Sequence, residues 1–194
     1  MAGLVFGLLL LGVLLPIAEV SDNYMLSDPY APLAIITATA LVVAFYPASD
    51  RWSPAREDST AILGGWTGIR LGFWATYQAG FLRGPPVPPP YPILWPAFEQ
   101  YGHMLLRLAI GGVIVIASRA VFKPITYLAV SALFGADGRA LKRQRNCIEN
   151  KLKIRVNIVS KLVTYAFIGI NMITMAPVVF KVIGCERSTF FTEV

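Results

Sequence analysis

The 194-residue chain is 56% hydrophobic and only 14% charged, and its mean hydropathy is +0.60. Soluble domains are about a quarter charged, and here the apolar residues form blocks close to the ~20-residue length that crosses a bilayer. This composition excludes an ordinary soluble domain. The net charge of +6 does not indicate nucleic acid, because ten of the seventeen Lys and Arg lie between positions 119 and 161, beside predicted membrane ends. Anionic lipid headgroups are the simpler partner for such a cluster.

Five apolar segments predict an all-α, polytopic membrane protein with about five transmembrane helices in a single membrane domain over residues 1–194. The predicted spans cover about 2–20, 32–46, 61–82, 104–122 and 162–183. The first segment has two interpretations, a span or a signal peptide. The absence of Lys and Arg before it, and the poor cleavage sequence from Pro16 to Glu19, favour the span. A polar loop is expected between Glu19 and Pro32.

The third span carries the most regular pattern in the chain. A helix is predicted to begin at Ser53-Pro54, because serine caps helices and proline is tolerated at the first helical position. Small residues then recur at every fourth position: Thr60, Gly64, Gly68, Gly72, Thr76 and Gly80. On a helix this spacing forms one stripe, which predicts a close helix contact in lipid and structural roles for Gly64, Gly68 and Gly72. The alternative is that glycine is simply common in membrane helices.

Helix-breaking and basic sequences flank the fourth span. The proline-rich run from Gly84 to Pro96 predicts an extended loop. Lys123-Pro124 is expected to interrupt the fourth helix, and the short apolar run from Ile125 to Phe134 predicts an interfacial or re-entrant piece. Residues 137–161 are expected to form a basic loop whose segment 139–155 attracts anionic headgroups. The positive-inside tendency places this loop, and with five spans the amino end as well, in the cytoplasm.

No catalytic, cofactor-binding or metal site follows from the residues themselves. His103 is the only histidine, and Glu99 is its one carboxylate neighbour at helical spacing. The chain contains no Walker loop, H-E-x-x-H or G-x-S-x-G sequence. Cys147 and Cys185 lack C-x-x-C spacing and predict neither a metal site nor a disulfide framework. His103 is therefore interpreted as an interfacial histidine.

A dense polar cluster directly precedes the third span. Charges so close to lipid are expected to pair, because an unpaired charge there is costly. Asp50, Arg56 and Asp58 therefore predict a network that orients the span. Trp52 is assigned a structural role beside it, and substrate binding is the alternative role for Arg56. Arg70, within the span, is expected either to neutralise an acidic neighbour or to bind an anionic headgroup, since an intramembrane arginine normally faces protein or water.

The same cluster belongs to a longer motif. It reads Asp50-x-Trp52-Ser53-x-x-Arg56-x-Asp58-Ser59-x-x-Ile62-Leu63-Gly64. Tyr46-Pro47 precedes it, and Thr164-Tyr165-x-x-x-Gly169 lies in the last span. Together with the order of the spans, these residues resemble the region after the active site in sphingosine-1-phosphate phosphatases, the sphingolipid branch of the type 2 phosphatidic acid phosphatase superfamily. Glu57 departs from the expected glycine and Ser59 from the usual threonine.

The resemblance implies covalent phosphoryl transfer without a metal or other cofactor. In that superfamily a histidine nucleophile is activated by an aspartate, a second histidine protonates the leaving alcohol, and Lys and Arg hold the phosphate. Ala2-Gly3 resembles the pair that follows the last of three catalytic motifs, so these motifs would lie upstream of residue 1. The chain is therefore expected to be the carboxyl-terminal half of a lipid phosphatase, through a partial gene model or an alternative start, and to be inactive alone.

The resemblance also implies a substrate and a location. The full-length parent would act on sphingosine-1-phosphate in the endoplasmic reticulum membrane. Its active site would face the lumen together with the amino end of this chain, in disagreement with the loop charge. Two other classes stand as alternatives: a transporter or channel fragment, supported by Arg70 and the proline-interrupted helices, and a non-catalytic membrane scaffold that assembles through the glycine stripe.

Overall fold

The computed structural model describes residues 2–46, 54–82, 98–143 and 151–187, and these residues form six α-helices without a strand among them. The helices are α1 (Ala2–Ser27), α2 (Ala31–Phe45), α3 (Pro54–Gln78), α4 (Phe98–Leu133), α5 (Gly138–Arg143) and α6 (Lys151–Ile183). The predicted all-α fold is confirmed. The five predicted spans fall in α1, α2, α3, α4 and α6.

Three of the described helices are long and apolar enough to cross a membrane. The qualifying segments are Gly3–Ser27 of α1, Gln100–Leu133 of α4 and Lys151–Ile183 of α6. The apolar helix α2 has only 15 residues, which at ~1.5 Å per residue reach about 22 Å of a ~30 Å hydrocarbon core. α3 is less apolar and contacts α1, α2 and α6. The chain is therefore a multi-pass helical membrane protein.

α3 and α6 form the central helix pair and run parallel to each other. A Cβ atom built at Gly64 would lie 2.5 Å from the carbonyl oxygen of Leu162. About two turns further along α3 and three turns further along α6, a Cβ atom at Gly72 would lie 2.9 Å from the Cβ of Ile173. These separations are shorter than real Cβ contacts, so the two helices approach at a distance that only glycine permits.

The closest approach of the pair lies between these two points. A Cβ atom at Gly68 would overlap the carbonyl oxygen of Ala166. From the other side, a Cβ atom at Gly169 would lie 2.6 Å from the carbonyl oxygen of Gly65. Backbone meets backbone at both positions, and the two helices therefore interlock through glycines that each of them supplies.

The carboxyl end of α3 differs from the predicted end of the span at Leu82. α3 ends at Gln78, and Gly80 adopts a φ of +75°, a left-handed conformation that glycine favours. The Gly80 N–H donates to the Tyr77 carbonyl at 2.9 Å, as at many helix ends. A Cβ atom at Gly80 would meet nothing within 4 Å. Gly80 therefore ends the helix and does not take part in the predicted stripe contact.

Two other helices extend beyond their predicted ends. α1 continues to Ser27, so most of the polar loop predicted between Glu19 and Pro32 is helical. α4 continues through Lys123-Pro124 to Leu133. The predicted interruption, and the separate interfacial piece from Ile125 to Phe134, are therefore wrong.

Packing against α6 explains why α4 tolerates its proline. Proline removes one backbone donor from a helix, and membrane helices accept this where neighbouring helices support the backbone. Just before Pro124, the ring of Phe122 stacks on that of Phe167 with centroids 4.9 Å apart. Just after it, the hydroxyls of Thr126 and Thr164 lie 2.5 Å apart. These contacts hold the helix on both sides of the proline.

The predicted basic loop 137–161 is largely helical where the structure describes it. α5 occupies Gly138–Arg143, α6 begins at Lys151, and residues 144–150 lie outside the described ranges. With 36 and 33 residues, α4 and α6 reach about 54 and 50 Å at ~1.5 Å per residue, well beyond a ~30 Å hydrocarbon core. Their adjoining ends therefore bring basic residues to a membrane edge.

Candidate functional site

A cavity of about 940 Å³ opens between α3, α4, α5 and α6, where the end of α4 meets the start of α6. Its described basic lining residues are Arg119, Lys123, Arg139, Lys142, Lys153 and Lys161. Glu57 and Asp58, from the start of α3, are the acidic lining residues. Six positive and two negative charges leave the lining with a net charge of +4. The cavity therefore favours anions.

Helical spacing places these side chains around one space. Arg119, Lys123 and Tyr127 recur at every fourth position of α4 and therefore share one face. Arg139 and Lys142 are three residues apart on α5, which is again one face. The lining residues of α6 are Lys153, Asn157, Ser160, Lys161, Thr164 and Tyr165. The cavity thus combines cations with hydroxyl and amide groups that can hydrogen-bond an anion.

An ion pair between α3 and α6 spans the wall of the cavity. Lys161 Nζ on α6 donates to Glu57 Oε2 on α3. The Glu57 side chain is 13% exposed and that of Lys161 34% exposed, so the pair is partly shielded from solvent. It connects the two central helices beyond the glycine contacts.

Several of the other basic side chains that line the cavity have no acidic partner in the part of the chain that the structure describes. Among the residues that the structure describes, the basic lining residues without an ion pair are Arg119, Lys123, Arg139 and Lys142. Arg119 and Lys123 belong to the apolar segment Gln100–Leu133. Cations in such a segment normally face protein or a water-filled space and are paired there. The cavity supplies that space.

Hydrogen bonds fix the deep end of the cavity. Thr164 Oγ1 lies 2.5 Å from Thr126 Oγ1 and donates to the Ser160 carbonyl at 2.6 Å. Ser160 Oγ donates to the Asn157 carbonyl at 3.1 Å.

Thr164 and Gly169 both belong to the motif in the last span. In the structure, Thr164 contacts α4 while Gly169 contacts α3.

The structure describes only part of the polar cluster that was predicted before the third span. Asp50 and Trp52 lie outside the described residues. Asp58 is exposed and lines the cavity. Arg56 is half-buried, its Nε atom is buried without a hydrogen-bond partner among the described groups, and its side chain does not line the cavity. The two substrate-binding candidates, Arg56 and Arg70, are 14 positions apart on α3, about 21 Å at ~1.5 Å per residue.

Arg70 lies near the opposite end of α3 and has an acidic partner. Its guanidinium is 2.7 Å from the Asp22 carboxylate of α1, with side chains 30% and 49% exposed. It also lies 5.8 Å from the centre of the Trp66 ring, within the range of a cation–π contact. Nearby, Trp74 Nε1 donates to the Asp28 carbonyl at 3.0 Å. Of the two roles predicted for Arg70, the geometry matches pairing with an acidic neighbour.

Sequence reasoning missed the cavity itself. In the sequence, Glu57 differs from the motif and Arg119 and Lys123 belong to a longer basic region, so neither pattern predicts that the three residues share one cavity. The spacing of Arg119, Lys123 and Tyr127 was a usable signal, because positions four apart share a helix face. This signal holds only if the helix continues through Pro124, as it does in the structure.

The structure offers no metal site within the ranges that it describes: no three His, Cys, Asp or Glu side chains are grouped there. His103 is exposed on α4, and its carbonyl accepts a hydrogen bond from Arg107 Nε at 3.1 Å. Cys185 is buried as a free thiol, and Cys147 lies outside the described residues. Neither His103 nor Cys185 lines the cavity.

Fold and cavity together define a multi-pass helical membrane protein with a cationic cavity at one end of its central helices.

The sequence is similar to those of known lipid phosphatases. Sphingosine-1-phosphate phosphatase 1 of Rattus norvegicus is 30% identical over 185 residues, covering 94% of this chain and 41% of that protein. Sphingosine-1-phosphate phosphatase 2 of Mus musculus is 23% identical over 188 residues, covering 95% and 51%. The human phosphatase 2 is 24% identical over 160 residues, covering 81% and 38%. No protein-family model and no solved structure matches the chain.

The chain is thus a homologue of the sphingosine-1-phosphate phosphatases, as its motifs predicted. This similarity extends over almost its whole length, whereas the chain spans only about two fifths of the length of the Rattus norvegicus relative. It is therefore a membrane protein related to lipid phosphatases.

Proposed function

We propose that the chain is the carboxyl-terminal membrane portion of a lipid phosphate phosphatase that converts sphingosine-1-phosphate to sphingosine and phosphate. The observation that carries this proposal is the 30% identity to a sphingosine-1-phosphate phosphatase over 94% of the chain. In this proposal the hydrolysing residues lie outside these 194, and the helices described above form the membrane scaffold. No residue of the chain is assigned a catalytic role.

The same proposal extends to location and partners. We place the protein in the endoplasmic reticulum membrane, with sphingosine-1-phosphate bound by the full-length parent. Basic residues within 139–155 lie against anionic headgroups, since Lys and Arg close to a membrane surface each gain about 1 kcal/mol from such lipids.

Phosphate release from sphingosine-1-phosphate in detergent micelles tests the proposed hydrolysis. We expect activity from a version extended upstream in frame and none from the 194-residue chain. An extended version with its histidine nucleophile replaced by alanine is the control for contaminating phosphatases. Activity of the 194-residue chain would contradict the assignment of the catalytic groups to an upstream region. Inactivity of both would favour a transporter, channel or scaffold.

A second prediction separates structural from substrate-binding roles of Arg56. In the extended protein, Arg56→Ala is expected to lower the folded yield roughly twofold or more and to leave KM nearly unchanged, because removing a half-buried arginine stem loses packing. Folded yield is measured by size-exclusion chromatography, and KM by phosphate release. Arg143→Ala, at an exposed position of α5, is the control. A changed KM at unchanged yield would instead assign Arg56 to the substrate.

A further inference from the structure

We propose that the cationic cavity between α3, α4, α5 and α6 binds a phosphomonoester group, carried by an anionic lipid or present as free phosphate. The site consists of residues of this chain alone. The inference does not rest on the hydrolysis proposed above, because it concerns binding and not bond cleavage.

The charge distribution favours an anion in the cavity. Lys161 is paired with Glu57, whereas Arg119 and Lys123 of α4 have no ion-pair partner among the described residues. Both belong to an apolar segment, where an uncompensated cation is costly. Arg139, on α5, faces the same space. An anion held between α4 and α5 would compensate cations of both helices at once.

The chemistry of the lining favours a phosphate group over a carboxylate. A phosphomonoester carries a charge of about −1.5 to −2 near pH 7 and three acceptor oxygens. Arg119 offers a forked set of donors, and Lys123 adds a second positive charge. Tyr127 and Asn157 line the same cavity and add neutral donors. One carboxylate would leave much of this charge and donor capacity unused.

The size and place of the cavity suit a lipid headgroup. Ligand pockets typically have volumes of about 300 to 1,000 Å³, and this cavity, at about 940 Å³, is near the upper end of that range. It is far larger than a phosphate ion, so the rest of a headgroup or bound water also fits. It is lined by the carboxyl half of α4 and the first half of α6, whose adjoining ends bring basic residues to a membrane edge, and lipid phosphates lie at such an edge.

Binding is tested with the 194-residue chain in nanodiscs of neutral phosphatidylcholine. Dioctanoyl phosphatidic acid and inorganic phosphate are titrated separately by calorimetry. The cavity variant is Arg119→Gln with Lys123→Gln. The matched control is Arg107→Gln with Lys181→Gln, which also removes one Arg and one Lys, from positions that neither line the cavity nor belong to the basic segment 139–155. Circular dichroism and size-exclusion chromatography verify that each variant is folded.

We expect saturable binding that weakens at least tenfold in the cavity variant and less than twofold in the control. The single variants Arg119→Gln and Lys123→Gln should each weaken binding, which keeps the test decisive if the double variant fails to fold, whereas Lys123→Arg should retain binding. Binding of phosphatidic acid alone identifies a lipid phosphate as the ligand, and equal binding of inorganic phosphate identifies the free ion. Equal losses in the cavity and control variants, or no saturable binding of either probe, would overturn the proposal.

Discussion

Gly68→Leu is expected to destabilise the folded protein by at least ~3 kcal/mol, at the upper end of the cost of overpacking a core. A side chain there would overlap the carbonyl oxygen of Ala166 and approach its carbonyl carbon to 2.7 Å. Both atoms are backbone, so no rotamer change removes the clash, and α3 and α6 would have to separate. Because total stabilities are only about 5–15 kcal/mol, this cost removes a large share of the stability, and the folded yield should fall several-fold.

The measurements are the monodisperse yield in detergent and thermal unfolding followed by circular dichroism. Gly112→Leu is the matched control, because it makes the same change at an exposed glycine of α4 whose added Cβ would meet nothing within 4 Å. Gly72→Leu should cost less than Gly68→Leu, since its closest neighbour is the side chain of Ile173. Normal yield and unfolding temperature for Gly68→Leu would refute a packing role for the glycine stripe.

Glu57→Gln is expected to cost about 2 kcal/mol, less than the ~3–5 kcal/mol for breaking a fully buried pair because Lys161 is partly exposed. The substitution leaves the Lys161 ammonium beside the cavity without its carboxylate. Thermal unfolding of the single variants Glu57→Gln and Lys161→Gln, and of the double variant, gives the coupling energy. We expect a coupling of about 1 kcal/mol or more, above the value typical of exposed pairs.

Asp58→Asn is the control for this cycle, because it removes the same kind of charge one residue further along α3. Asp58 is exposed and forms no ion pair among the described residues. Its neutralisation should change stability by less than about 0.5 kcal/mol, as is usual for surface positions. Equal effects of the two neutralisations, with coupling near zero, would show that the pair does not connect α3 to α6.

The sequence alone determined the class of the protein and much of its helix pattern. Apolar blocks of bilayer length require helices, because backbone groups in lipid must be satisfied within the segment. The four-residue spacing of small side chains is likewise a local property, and it predicted which face of α3 would lie against another helix. It did not identify that helix as α6 or show that Gly169 would complete the contact.

The candidate site depended on the tertiary structure. The cavity joins residues of four helices, and the ion pair between Lys161 and Glu57 connects positions 104 residues apart in the chain. Spacing along a single helix cannot specify such a partner. The helical course through Pro124 was equally a tertiary result, because stacking and hydrogen bonds from α6 support α4 on both sides of the proline. Local sequence therefore determined which segments are helices and which helix faces carry small or basic side chains. Packing between helices that are distant in the sequence determined where those faces meet.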